Sequence, residues 1–394
     1  MSRFTHPFAR TDRSPLGIWW WTVDGVSLAC ILVLVLMGVA LAFSSSPIAA
    51  AKHGIAFPFH YAVMQFGFAL VSVSVLIATS LLSPKGVRRV GFFVFSVALA
   101  VMAMLPFLGH TAKGGRRWLD LGPIGLQPSE FLKPALVIMI AWMFAEGQKG
   151  RGVPGMTIAF GLYLLSAFLL IIQPDFGQTI LITIAFGACF FVAGVPLRWI
   201  MGLGIAAVAG MVTSYFMLGH VKDRVAKFIN PAGTENYQIE KGLEAISAGG
   251  LVGPGPGEGV LKRYIPDLHT DFIYSVAAEE FGLVFSLVLI GLYAAIVIRG
   301  LLRALKLPDP FEQIAATGLF VLFGVQAVIN IAVNLNLVPT KGMTLPFLSY
   351  GGSSMMAMGL TMGLALALTR RYPRAYAMPD SAAETPESLD GQRL

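Results

Sequence analysis

Residues 23–44 read VDGVSLACILVLVLMGVALAFS, with one acid and no base. As a helix this run extends about 33 Å at 1.5 Å per residue, enough to cross a hydrocarbon core about 30 Å thick. Lipid offers no partner to backbone N–H and C=O groups, so such a run must be helical, and it is too long for a barrel strand. Further apolar runs lie at 59–82, 88–108, 129–146, 154–172, 176–194, 198–218, 272–298, 311–335 and 353–369. The pattern predicts an all-α polytopic membrane protein with ten transmembrane helices.

Composition agrees with that reading. Of 394 residues, 56% are hydrophobic and 12% charged, about half the charged share of a soluble domain. Mean hydropathy is +0.73. The net charge of +7 fits basic residues at cytoplasmic helix ends, and no nucleic-acid partner is expected. Cys30 and Cys189 both fall inside apolar runs, which argues against a disulfide framework or a Cys-based zinc site. No cleavable signal peptide and no internal repeat are expected.

An even number of spans puts both termini on one side. If that side is the cytoplasm, it holds sixteen of the 28 basic residues and the opposite side eleven, with Lys133 inside a span. The short inner segments carry the clusters Lys85, Arg88, Arg89 and Arg370, Arg371, Arg374, so the termini are placed inside. The organisation expected is a cytoplasmic tail over 1–20, a ten-helix domain over 21–372 and a disordered cytoplasmic tail over 373–394. Between helices seven and eight lies a large extracytoplasmic loop, 219–271. Basic residues on the outer side, including Arg116 and Arg117, suggest an anionic ligand there, with loop solubility or headgroup contact as the alternative.

Five segments interrupt the apolar pattern. In the segment Lys113–Lys133, Ser129 or Glu130 is placed to cap the fourth helix. Glu130 and Lys133 are three apart on one helical face, either as a structural ion pair or as a substrate contact. In Gln173-Pro174-Asp175, Asp175 is expected to cap the sixth helix and can also hold Lys133 or an arginine. The Gly249–Gly259 cluster lacks the Gly-Lys-Ser/Thr ending of a nucleotide loop and is expected to be a hinge. In His269-Thr270-Asp271, the acid enters the eighth span at the water–hydrocarbon boundary, where desolvation would make it a better base; capping by Thr270 or Asp271 is the alternative. Glu279 and Glu280 follow, expected about 12–13 Å deeper, as functional or paired buried acids. Pro339–Ser354, with two prolines and three glycines, is expected to be re-entrant or tightly packed.

Together these segments resemble the SEDS family of polytopic peptidoglycan glycosyltransferases. The resemblance rests on Arg117-Trp118 through Gln127-Pro128-Ser129-Glu130 and Lys133, on Gln173-Pro174-Asp175, on His269-Thr270-Asp271-Phe272 with Glu279-Glu280-Phe281-Gly282, and on Leu345-Pro346-Phe347 through Ser354. Pro339-Thr340-Lys341-Gly342 looks like the division branch. Asp267 departs from the glutamate usual at its position.

The resemblance implies polymerisation of lipid II, an undecaprenyl-pyrophosphate-linked disaccharide-pentapeptide, on the periplasmic face of the bacterial inner membrane at the division septum. It implies Asp271 as general base. It also implies Lys133 and Arg117, with Arg116, Glu130, Gln127, Ser129, Asp175, His269 and Thr270, as substrate-binding or positioning groups. A departing pyrophosphate needs positive charge from side chains or a divalent cation such as Mg or Mn, and the metal stays open. The implied partner is a class B penicillin-binding protein within the division machinery. Two other functions compete: a lipid II flippase, and a division scaffold without chemistry.

Overall fold

A computed structural model describes residues 14–108, 110–112, 115–120, 125–150, 152–217, 222, 234–339 and 342–370. The tails 1–13 and 371–394, and most of 218–233, lie outside the described residues. The described residues are mostly helical: α1 (Pro15–Thr22), α2 (Gly25–Lys52), α3 (His60–Ser80), α4 (Pro84–Leu108), α5 (Pro128–Gln148), α6 (Gly155–Ile172), α7 (Phe176–Val192), α8 (Leu197–Met217), α9 (Thr234–Ala248), α10 (Ile273–Ala304), α11 (Pro310–Asn334) and α12 (Gly352–Leu368). Among the described residues, α2, α3, α4, α5, α6, α10 and α11 are long and apolar enough to cross a membrane. The shorter apolar helices α7, α8 and α12 fall on the remaining expected runs.

Early in the chain, two features lie outside the ten expected spans. The chain preceding the first long helix forms α1, capped by the Ser14 hydroxyl on the Gly17 N–H at 3.0 Å. Trp19 fastens this helix to the end of α3 by donating to Ser80 Oγ at 2.8 Å. Between α4 and α5 stand three short antiparallel strands: β1 (His110–Ala112), β2 (Gly115–Asp120) and β3 (Gly125–Leu126). Thr111 pairs with Arg116, and Leu119 with Leu126. Polar residues and the turn-favouring pairs Gly114-Gly115 and Gly122-Pro123 suit such a meander better than a helix.

The core is built around α5 and α12. Both are buried along most of their length, because α3, α4, α6 and α11 pack around them. Close approach substitutes for hydrophobic drive in lipid. At Gly359 of α12, a Cβ would stand 2.4 Å from the Ser72 carbonyl oxygen of α3, so nothing larger than glycine lets these backbones meet.

Helix α10 has 32 residues, about 48 Å of rise and too much for one perpendicular crossing. It breaks at Gly282, whose φ of 75° and ψ of −172° leave the helical region. The loop 249–257 folds against the break. The Leu283 and Val284 N–H groups donate to the carbonyls of Gly250 and Leu251 at 2.9 and 3.1 Å. The Gly249–Gly259 cluster thus meets the break through close backbone approaches at Gly249 and Gly253, while most of its residues stay exposed. At Gly253 (φ +73°) a Cβ would come 2.2 Å from the Glu280 carbonyl oxygen.

Two buried polar nodes mark the ends of the α2–α10 pair. At one end Asp24 is held by Arg299 at 2.9 Å and Arg303 at 3.1 Å. At the other, Glu280 meets Ser44 and Lys262. Ser44 follows Asp24 by 20 residues and Arg299 follows Glu280 by 19, so about one bilayer thickness of helix separates the nodes. Glu279 and Glu280 lie on the N-terminal side of the break at Gly282 and are paired buried acids, with Lys262 and Ser44 as partners.

Candidate active site

The turn carrying Asp271 is set by its own backbone. Thr270 N and Phe272 N donate to the Asp267 carbonyl at 3.2 and 3.3 Å. The Thr270 hydroxyl turns back to the same carbonyl at 3.3 Å, so it does not cap α10. The N-cap is Phe272, with no side-chain capping bond, and Asp271 precedes it, partly buried.

Helix α11 then holds the Asp271 main chain. Asn330 and Asn334 both donate to the Asp271 carbonyl, at 3.0 and 2.9 Å. Asn334 Oδ1 accepts from the backbone N–H and the hydroxyl of Ser275 at 3.2 and 2.8 Å. Asn330 also reaches the Met343 carbonyl at 2.6 Å. One turn earlier, Gln326 donates to the Thr344 carbonyl at 3.1 Å and accepts from Lys133 Nζ at 3.0 Å. Gln326, Asn330 and Asn334 recur every four residues and so share one face. They bind Lys133 and the Asp271 segment about one helical turn apart.

Lys133 is fully buried and bridges to Glu130 at 2.8 Å, as the three-residue spacing predicts. Glu130 accepts a second bond, 2.6 Å, from Gln178 Nε2. Neither Ser129 nor Glu130 caps α5, whose N-cap is Gln127 without a side-chain bond. The Ser129 hydroxyl is buried without a hydrogen-bond partner. Gln127 instead donates through Nε2 to Asp175 Oδ2 at 3.3 Å. Its N–H donates to Ser353 Oγ at 3.0 Å, tying the start of α5 to α12.

Asp175 caps α7 as expected, accepting from the Gln178 N–H at 3.4 Å. Arg117, from β2, lies 3.8 Å from the same carboxylate and donates to the carbonyls of Gln173 and Pro174 at 2.8 and 2.6 Å. Burial raises the carboxyl pKa of Asp175, and the Arg117 guanidinium opposes that rise. The Arg116 side chain lies outside the described residues.

His269 is buried in an aromatic group, its ring 4.6 Å from Tyr61, 5.5 Å from Tyr350 and 6.1 Å from His53. Its carbonyl accepts from Tyr350 N at 2.8 Å. The Tyr350 phenol is pushed up to about 12 by burial and the neighbouring Tyr61. The segment after α11 is tightly packed, with Met343, Leu345, Phe347 and Leu348 buried.

The expected site residues thus fall into two groups joined by α11. One contains Arg117, Gln127, Glu130, Lys133 and Asp175; the other contains Asp271 with Thr270 and His269. Sequence reasoning overlooked the joining residues Gln326, Asn330 and Asn334, although amides every four residues inside an apolar span are a readable signal. It also overlooked Gln178.

The family described as cell cycle protein, of the FtsW, RodA and SpoVE type, matches residues 25–372. The chain belongs to this family. It is 61% identical over 375 residues to a probable peptidoglycan glycosyltransferase FtsW of Caulobacter vibrioides, covering 95% of this chain and 96% of that one. A protein of the same description from Legionella pneumophila is 33% identical, over 86% of this chain and 89% of the other. Among solved structures, one reported for the coordination of polymerization and crosslinking by a peptidoglycan synthase complex aligns with a TM-score of 0.70. It is 27% identical, covering 86% of this chain and 96% of that one. The rod shape determining protein RodA of Thermus thermophilus aligns at 0.65 and 26% identity, over 89% of this chain and 97% of the other. Family membership covers both residue groups of the site and α11 between them.

Proposed function

We propose that this chain is a peptidoglycan glycosyltransferase of the FtsW type, which polymerises lipid II during cell division, with Asp271 as general base. The supporting observation is the α11 amide ladder, which fixes the Asp271 main chain one turn from the Lys133 contact. In this reading the chain has ten spans, both termini in the cytoplasm and its site on the periplasmic face of the inner membrane at the septum.

The reaction joins two disaccharides. The Asp271 carboxylate takes the proton of the acceptor 4-hydroxyl as that oxygen attacks the donor anomeric carbon and lipid pyrophosphate departs. General-base assistance of this kind contributes roughly 10²–10⁴ in rate. Lys133 and Arg117 supply positive potential toward the departing phosphates, while Glu130, Gln127, Ser129 and Asp175 orient them. Because the Lys133 ammonium is buried against Glu130 and Gln326, direct phosphate contact requires it to exchange partners. Thr270 and His269 shape the approach to Asp271. Magnesium or manganese brought in with the pyrophosphate needs only one or two carboxylates beside the phosphates. The partner is a class B penicillin-binding protein, which crosslinks the new strands.

Purified chain with its transpeptidase and lipid II should yield glycan polymer, and Asp271→Ala should yield none while keeping its thermal stability. Normal polymerisation by Asp271→Ala would remove the base assignment. Lipid scrambling in liposomes without any polymer would favour the flippase reading.

A further inference from the structure

Asp271 lies at the midpoint of a segment whose two ends are locked together. Lys262 precedes it by nine residues and Glu280 follows it by nine, and these two form a buried ion pair. Three donor bonds run from the Lys262 ammonium, to Glu280 Oε1, Ser44 Oγ and the Gly257 carbonyl. Beside it, the two oxygens of Glu279 accept from the N–H groups of Leu261 and Lys262 at 2.6 and 2.8 Å. The Glu280 carbonyl accepts from Gly255 N at 3.0 Å. Side-chain charge and main-chain bonds thus close the same loop twice, and Ser44 anchors the closure to α2.

Stability alone does not explain such a node. Two charges brought out of water recover little net energy, and apolar residues of similar volume often serve stability as well or better. An ion pair with directed bonds does fix one register. The chain between the ends has no regular structure across 265–272, and its core anchors are the buried side chains of Ile265, Leu268 and Phe272. Besides short-range bonds to the carbonyls of Lys262, Asp267 and Phe272, its described main-chain ties are the two asparagines of α11, Lys52 Nζ on the Ile265 carbonyl at 2.6 Å, and Tyr350 N on His269.

We propose that Lys262, Glu279 and Glu280 are positioning residues that hold the Asp271 turn in register against Asn330 and Asn334. The proposal rests on Asp271 being the base. Without the closure the turn slides along α11, and the carboxylate leaves the line between the acceptor hydroxyl and the donor carbon, where small displacements lose large factors in rate.

The test uses the full chain in complex with its transpeptidase. A Lys262→Met/Glu280→Gln double variant removes the pair without leaving a lone buried charge, and Lys262→Arg keeps it. Hydrogen exchange over 265–272 and polymerisation kinetics on lipid II are measured together. In the double variant exchange there should rise by about tenfold. Its kcat should fall by about tenfold with KM within about twofold, while Lys262→Arg stays near wild type in both. Unchanged exchange, or faster exchange with unchanged kcat, would overturn the proposal. Asp271→Ala separates the two readings: wild-type protection with continued polymer synthesis removes the base and leaves the closure standing.

Discussion

The side-chain amide of Asn330 donates to the main-chain carbonyl of Asp271 at 3.0 Å and to that of Met343 at 2.6 Å. One side chain therefore joins the turn before α10 to the segment after α11. Replacing it by alanine takes this donor from the Met343 carbonyl, at about 1–3 kcal/mol for an unsatisfied group, and leaves the Asp271 carbonyl with Asn334 alone. Asn330→Ala should lower kcat on lipid II by at least about tenfold, and Asn330→Asp should do worse, because a carboxylate faces two carbonyl oxygens. Equal kcat for Asn330→Asp and wild type would remove this role.

Lys133 and Glu130 form an enclosed ion pair, with side-chain exposures of 0% and 4%. Removing one partner leaves a buried charge uncompensated, at about 3–5 kcal/mol. Lys133→Met should therefore unfold at markedly lower temperature than wild type. Lys133→Met/Glu130→Gln should recover much of that loss while remaining poor in polymerisation. Thermal melts of the three proteins in one detergent check the order; a double variant no more stable than the single would contradict it.

The sequence made some of this visible and hid the rest for a common reason. Apolar runs, the Glu130–Lys133 pair and the Asp175 cap depend on residues at most four positions apart, where helix geometry alone sets the contact. Lys133–Gln326 and Asn330–Asp271 join residues separated by 193 and 59 positions, and helix packing brings them together. The Gly282 break was hidden because its freed N–H groups find partners in the distant Gly250–Leu251 segment. The strands between α4 and α5 were missed because a meander so short carries little alternating pattern.

Asp175 gives the fold a pH dependence of defined sign. Burial holds its folded pKa above the ordinary value of 3.8, so the folded state binds a proton more tightly than the unfolded chain does. The resulting penalty is absent below the unfolded pKa, grows as pH rises above it and is complete above the folded value. Asp175→Asn cannot ionise and lacks this slope. Its melting temperature relative to wild type should rise as pH increases from about 4 toward neutrality. Parallel curves over that range would show that Arg117 fully offsets burial.

The far end of the α2–α10 pair provides the contrasting case. Asp24 is 2% exposed and accepts from Arg299, Arg303 and the Ser27 hydroxyl, about one bilayer thickness from Glu280. Arg299 is 40% exposed in its side chain, so solvent screens much of its attraction. Asp24→Asn keeps the oxygen that Arg299, Arg303 and Ser27 share, loses the charge and replaces the second oxygen under Arg299 by an amide donor. Melting temperature should fall by a few degrees, corresponding to about 1 kcal/mol. Both kcat and KM on lipid II should stay close to wild type, because neither the α11 ladder nor the Lys262 closure involves this node. A large fall in kcat in Asp24→Asn, with hydrogen exchange over 265–272 increased, would show that the two ends of α10 move together and that the Asp271 turn is not held locally.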